Sequence, residues 1–310
     1  MRVSRSRRRS RSPAIAVAFV IAAFSFTTPA SAQAGPASGP WARVDSVFGR
    51  HGAAQPGGVM KYSFPRSDLD IVVEGVKLRP AFALGAWVAF ENAGHGQAMV
   101  MGDLVLAPDE VNGVIRALQA GGVEQTALHN HLLAPVMYMH IAGYGDATKL
   151  ASTIRGALAT TTTPLGPPAP PSAPSAAELD TAGIAHALGH RGTLNGTIYQ
   201  IGIPRAERIT DRGHEVPSAM GVATAINFQP TGGGNAAITG DFVLQAAEVN
   251  PVIRALEGNG IKVEALHSHM LFESPRLYFM HFWANGDAAT LARGLRAALD
   301  RTASQKAAER

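Results

Sequence analysis

Three histidines and a glutamate crowd into ALHSHMLFESPRLYFMH, residues 265–281: His267, His269, Glu273 and His281. An earlier stretch, TALHNHLLAPVMYMH, residues 126–140, repeats the arrangement with His129, His131 and His140 but without a matching glutamate. An H-x-H spacing on a strand puts both imidazoles on one face, because successive side chains alternate. Imidazole nitrogens with a carboxylate beside them suit borderline divalent ions. These seven residues are therefore expected as metal ligands, for zinc, iron, copper, nickel or manganese. The competing expectation is a structural role, with histidines packed or hydrogen-bonded across the two halves, or another polar ligand site.

For the third histidine to join the first two, neighbouring strands must pair as a hairpin. Setting His129 opposite His140 places His131 opposite Tyr138 and leaves Ala134 and Pro135 as the turn. Setting His267 opposite His281 places His269 opposite Phe279, with Glu273, Ser274 and Pro275 in the loop. Both connections are short enough for a hairpin, although proline is awkward in a two-residue turn. The other face then carries Leu128, Leu132, Met137, Met139 and Ile141, or Leu266, Met270, Met280 and Phe282, for burial under helices. Each copy is expected to form its own site. The first is the more degenerate, lacking the glutamate and being three residues shorter between its last two histidines.

The elements that must position these residues are written twice. GDLVLAPDEVNGVIRALQAGGVEQTALHNHLL, from Gly102, aligns without gaps on GDFVLQAAEVNPVIRALEGNGIKVEALHSHML, from Gly240. GYGDATKLASTIRGAL matches ANGDAATLARGLRAAL further on, and Pro65-Arg66 matches Pro204-Arg205 upstream. Val111, Val114, Ile115 and Leu118 fall on one helical stripe, ended by glycines, and Val249, Val252, Ile253 and Leu256 repeat it. Asp146 and Asp287 are expected to cap a final helix. The fold class expected is α+β: a tandem duplication of a β-rich region followed by β-α-β-β-α, helices on one face of an antiparallel or mixed sheet. The boundaries expected are a signal at 1–32, repeats at 41–159 and 181–300, a proline-rich linker at 160–180 and a tail at 301–310.

The formal charge of +4 misleads: Arg2, Arg5, Arg7, Arg8, Arg9 and Arg11 lie in the first segment, and subtracting those six leaves −2. That balance gives no electrostatic reason to bind nucleic acid. Basic RVSRSRRRSRS, apolar AIAVAFVIAAFSF and Ala30-Ser31-Ala32 read as a secretory signal with its cleavage site, so an exported protein, periplasmic or secreted, is expected. No transmembrane domain is expected in the mature protein. The absence of cysteine excludes disulfides, thiolate ligands, a cysteine nucleophile and a lipid anchor on cysteine. The glycine run in PTGGGNAAITGD opens no helix, so it reads as a hairpin turn rather than a phosphate loop, and no nucleotide cofactor is expected. Glu110 and Glu248 read as helix-start acids, Asp103 and Asp241 as carboxylates that could support an imidazole, and His214 stays unassigned.

At TALHNHLL, MYMHI, INFQPTGGGNAAITGDFVL, LHSHML and YFMHFWANGDAATLA the sequence resembles the LppY/LpqO-like family, over nearly the whole chain after the signal and in both copies. That resemblance implies a bacterial envelope or exported protein and supplies no reaction. The H-x-H-x-x-x-E start is also similar to that of cupin metal sites, a likeness of chemistry and not of fold. The functional expectation is an exported two-domain metal-binding protein, either a metal-dependent enzyme of unidentified substrate, with a small molecule as partner, or a protein that stores or delivers metal without catalysis. The alternative is a non-catalytic binding module for an envelope glycan, with structural histidines.

Overall fold

The computed structural model describes residues 41–132, 135–167 and 179–306. The expected signal at 1–32, much of the expected linker and the end of the tail lie outside the described residues.

In the first repeat a short helix, α1 (Ala42–Phe48), precedes β1 (Ala53–Gln55), β2 (Val59–Pro65), a small hairpin of β3 (Val72–Val73) and β4 (Val76–Lys77), and the long strands β5 (Gly85–Gly94) and β6 (Gln97–Leu106). Then follow α2 (Val111–Ala120), β7 (Glu124–Asn130), β8 (Met137–Gly145) and α3 (Ala147–Leu158). The second repeat runs α4 (Thr181–Leu188), β9 (Thr193–Asn195), β10 (Ile198–Pro204), a hairpin of β11 (Thr210–Asp211) and β12 (His214–Glu215), β13 (Ala223–Gly232) and β14 (Asn235–Leu244). It ends with α5 (Ala246–Glu257), β15 (Lys262–His267), β16 (Glu273–Ser274), β17 (Tyr278–Asp287) and α6 (Ala288–Leu299). Two six-stranded antiparallel sheets result, in the orders β1-β2-β5-β6-β8-β7 and β9-β10-β13-β14-β17-β15.

Local chemistry accounts for the joints. Asp146 and Asp287 cap α3 and α6, each accepting a backbone N–H three residues on at 2.8 Å. The glycine run forms the β13–β14 turn through Gly233 and Gly234, both at positive φ. His95 and Gly96 do the same between β5 and β6, the conformation a two-residue hairpin needs.

Strands β6 and β14 are buried almost end to end, without the alternation of a half-exposed sheet. Each is covered on both faces. Outward, Val100, Leu104 and Leu106 pack with α2 and α3 residues such as Val114 and Ile154, and Ile238, Phe242 and Leu244 pack with Val252 and Leu295. Inward, the sheets meet each other: Met99 and Met101 share a core with Val243, Met270 and Phe279. The layers are helix, sheet, sheet, helix, so the repeats are joined by a core common to both.

Buried Arg66 and Arg205 tie each repeat together in the same way. Arg66 donates to the Val105 carbonyl and to Asp68 and Glu110, and Arg205 to the Val243 carbonyl, Glu207 and Glu248. Glu110 and Glu248 also accept N–H groups at their helix starts, from Ala107 and Gln245. These acids thus serve both the helix end and the arginine. Segments expected as linker and tail are docked: Thr162 bonds Glu110 and Asp68, and Ser304 bridges to Arg205. Among the described residues no helix is long and apolar enough to cross a membrane.

Candidate functional site

On the inner face of the first sheet, Trp87, Asp103 and His140 stand directly opposite one another across β5, β6 and β8. Ala225, Asp241 and His281 hold the equivalent places across β13, β14 and β17. The glycine before each aspartate is needed for close approach. A Cβ on Gly240 would lie 1.9 Å from the Ala225 carbonyl oxygen, and one on Gly102 2.7 Å from that of Trp87. The repeated Gly-Asp pair therefore draws the strands together where the carboxylate faces inward.

The hairpin registers differ from the expectation by two residues in both copies. His140 pairs with Ala127 and His129 with Tyr138; His281 pairs with Ala265 and His267 with Phe279. The connection is longer than a two-residue turn because Pro135 cannot serve there as a ladder donor; Leu133 and Ala134 lie outside the described residues. A shift of two preserves the facing of every side chain, so the histidines still point inward. The opposite face is mixed. Met139, Ile141, Met280 and Phe282 are buried beneath helices, Leu128 and Leu266 are exposed, and Met270 sits in the core between the sheets.

The larger correction concerns the number of sites. The six histidines do not form one cluster per repeat; they meet across the repeats. Ring centroids of His129 and His267 lie 3.6 Å apart, those of His140 and His269 3.5 Å, and those of His131 and His281 3.7 Å. His129 thus faces its equivalent, His267, and the other two pairs are exchanged by an approximate twofold axis that carries His131 onto His269 and His140 onto His281. Donor atoms of His129, His267, His269 and His281 lie within 4.8 Å of one another, as do those of His131, Asp241 and His281. Glu273 belongs to neither group. Its carboxylate takes Arg276 Nη1 and the Leu277 N–H, each at 3.1 Å, on β16, which pairs with β11.

Hydrogen bonds fix the tautomers. Nδ1 of His129, His267 and His281 faces the carbonyls of Asn130, Ser268 and Gly240 at 2.9, 3.4 and 3.1 Å. A carbonyl only accepts, so in each neutral ring Nδ1 carries the proton and Nε2 keeps a lone pair. Nε2 of His267, His269 and His281 is buried without a hydrogen-bond partner. His129 Nε2 lies 3.0 Å from His140 Nε2, and His131 Nε2 lies 3.3 Å from the Thr239 hydroxyl. Asp241 approaches His281 Nδ1 at 2.6 Å and Asp103 approaches His140 at 3.8 Å.

Burial and mutual repulsion keep the rings of His129, His131, His140, His267 and His269 neutral. The pKa of His129 is lowered to about 4 by burial and then by His281, and that of His267 to about 3 by burial and then by His129. Burial is also the largest cause holding His131, His140 and His269 well below the ordinary value. Asp103 is pushed up to about 7 by burial and then by Asp241.

A cavity of about 270 Å³ opens beside the cluster, lined by His140, His269, Asp103, Asp241, Lys61 and Trp87 among others. Burial lowers the Lys61 pKa to about 8, with Asp103 opposing the shift. Sequence comparison of the repeats passes over Lys61 and Trp87 because Gln200 and Ala225 replace them in the second copy. The available signal was a lysine on the alternating strand VMKYSFP.

Fold and site together define a duplicated α+β protein with a single composite histidine centre. The chain belongs to the family described as Domain of Unknown Function (DUF1259), whose model matches residues 42–160 and 182–301. A search of curated proteins finds no match. Among solved structures, a trimeric bacterial microcompartment shell protein, PduB, is 13% identical, with 81% of this chain and 90% of that chain covered and a TM-score of 0.22. EtuB from Clostridium kluyveri is 10% identical, with 80% and 88% covered and a TM-score of 0.19. Likenesses this distant carry no functional argument.

Proposed function

We propose that the two repeats jointly hold one divalent transition metal, and that the protein is an exported metal-dependent enzyme acting on a small molecule in the adjoining cavity. One observation carries the reading: Nε2 of His267, His269 and His281 is buried with no hydrogen-bond partner, and these three imidazoles and that of His129 each bring a nitrogen within 4.8 Å of the others. Buried acceptors without partners are costly, and a cation among them removes the cost. His129, His267, His269 and His281 are the proposed ligands, with His131 and His140 beside them. The backbone carbonyls that take each Nδ1–H orient the rings. Neutral imidazoles suit zinc, iron, copper, nickel or manganese. A bound ion of this kind would supply Lewis acidity toward a substrate oxygen or water. Asp103 stands at the cavity wall beside His140, where a carboxylate can accept or return a proton. A glycan-binding role is less well supported, since about 270 Å³ falls below the usual range for sites that enclose even drug-sized ligands. Export rests on the signal expected at 1–32 and on the LppY/LpqO-like resemblance.

Elemental analysis of the purified mature protein tests the metal. One ion per chain is expected, and both His129→Ala and His267→Ala should weaken its binding more than tenfold. A correctly folded protein that takes up no transition ion refutes the proposal; so does a His129→Ala variant that binds as well as the parent.

A further inference from the structure

The cavity beside the histidines breaks the twofold relation of the repeats. Lys61, on β2, reaches its wall and lies over the Trp87 ring with Nζ 4.0 Å from the centroid. Among the described residues that ammonium has no hydrogen bond and no ion pair, and it rests on the ring. The equivalent place in the second repeat is taken by Gln200, whose amide is fully used, donating to the Ala81 carbonyl at 2.9 Å and to Asn227 at 3.1 Å. Where Trp87 stands, the second repeat has Ala225. At this place the second copy has an amide whose donors are in use, and the first has a cationic group with unused donors at the cavity.

The rest of the polar lining is acidic and imidazole, with Asp103 two strands from Lys61 on the same sheet and Asp241 on the other sheet. Asp103 and Asp241 both line it, with His140 and His269, while Trp87, Met101 and Met270 supply apolar surface. An anion placed at Lys61 finds a compact charge with three donors. A dianion filling the whole volume would meet the two aspartates. A short molecule with a carboxylate at one end and a hydroxyl at the other satisfies both ends: the hydroxyl donates to an aspartate or faces the histidines. A cavity of about 270 Å³ has room for such a molecule and little more.

We propose that this cavity binds a small hydroxycarboxylate, its carboxylate on Lys61, its carbon chain against Trp87 and its hydroxyl toward Asp103 and the histidine centre. The inference deepens the metal reading and rests on it in one respect, since an ion at the histidines offsets the two aspartates and favours an anion.

The test is calorimetric titration of the full mature chain, zinc-loaded and metal-free, with the monoanions glycolate, lactate and 3-hydroxypropionate, and separately with inorganic phosphate. Lys61→Gln and Trp87→Ala install the residues that the second repeat carries at those places, and urea melts check that both variants fold. At least one hydroxycarboxylate should bind the zinc-loaded protein. Lys61→Gln should weaken it at least tenfold with zinc stoichiometry unchanged, and Trp87→Ala should weaken it less. Zinc uptake with no carboxylate binding, or binding indifferent to Lys61→Gln, overturns this inference and leaves the metal centre standing. Tighter binding of phosphate than of any carboxylate overturns the ligand class. If none of zinc, iron, copper, nickel or manganese is taken up, the metal reading falls. Lysine-dependent carboxylate binding to the metal-free chain would then uphold the cavity assignment, and its absence would end that too.

Discussion

The metal-free protein should be sensitive to mild acid, and the sign follows from the imidazoles. A histidine whose pKa is lowered on folding takes a proton more readily when unfolded, so it disfavours the folded state as pH falls below about 6.5. His129, at about 4, and His267, at about 3, remain neutral in the folded protein at pH 5. Each then costs about 1.5 units at 1.36 kcal/mol, or about 2 kcal/mol. Asp103 acts the other way. Its pKa is raised to about 7, so the folded state gains a proton the unfolded chain refuses, recovering about 2–3 kcal/mol between pH 7.5 and 5. His131, His140 and His269, also held well below the ordinary value by burial, add to the loss. The net loss is at least about 1–2 kcal/mol, against a total stability of about 5–15 kcal/mol. Urea melts of chelator-treated protein at the two pH values, followed by tryptophan fluorescence, should show the midpoint falling by at least about 0.5 M. The double variant His129→Asn, His267→Asn should lose about 4 kcal/mol of that dependence. Equal midpoints at both pH values, or a double variant as acid-sensitive as its parent, would refute the burial argument.

Two further outcomes bear on residues whose roles the fold has reassigned. Glu273→Gln should leave metal affinity within about threefold of the parent while lowering stability by about 1–2 kcal/mol, because its carboxylate serves Arg276 and the Leu277 N–H; a large loss of metal would restore it as a ligand. Arg205→Met should cost about 3–5 kcal/mol in urea melts, since it strands Glu248 and Glu207. The exposed pair of Arg208 and Glu215 provides the comparison: Arg208→Met should cost under about 1 kcal/mol, and equal losses would contradict the buried-clamp account.

Much of this was legible in the chain. Period-3.6 stripes marked α2 and α5, the aspartates marked helix starts, and H-x-H fixed which way the imidazoles point. Register was not legible, because pairing shifted by two residues keeps every face and so satisfies the same pattern. Glu273 misled for a related reason: its spacing from His269 resembles a ligand motif, yet a loop residue's direction depends on what the loop packs against, here β11. The joining of two sites into one was half visible. QAMVMGDLVL and NAAITGDFVL are apolar on both faces, which demands a second cover, but nothing in the strings says that the cover is the other copy.

Duplication within one chain explains how a twofold centre can have a one-sided cavity. A symmetric dimer of single repeats would carry Lys61 and Trp87 on both sides of the histidines, or on neither. Covalent joining lets the halves differ, and they do so where they clasp each other. Glu74, on the β3–β4 turn of the first repeat, reaches Lys262 and the Trp283 indole N–H. Arg212, on the corresponding turn of the second, reaches Glu124. The partners occupy matching places with their charges exchanged, so each hairpin suits the opposite half and would meet like charge on its own. That exchange selects one pairing of unequal halves. The histidines near the axis can then stay common to both, while the flanks specialise: Gln200 bonds Asn227 in one repeat, and Lys61 and Trp87 line the cavity from the other.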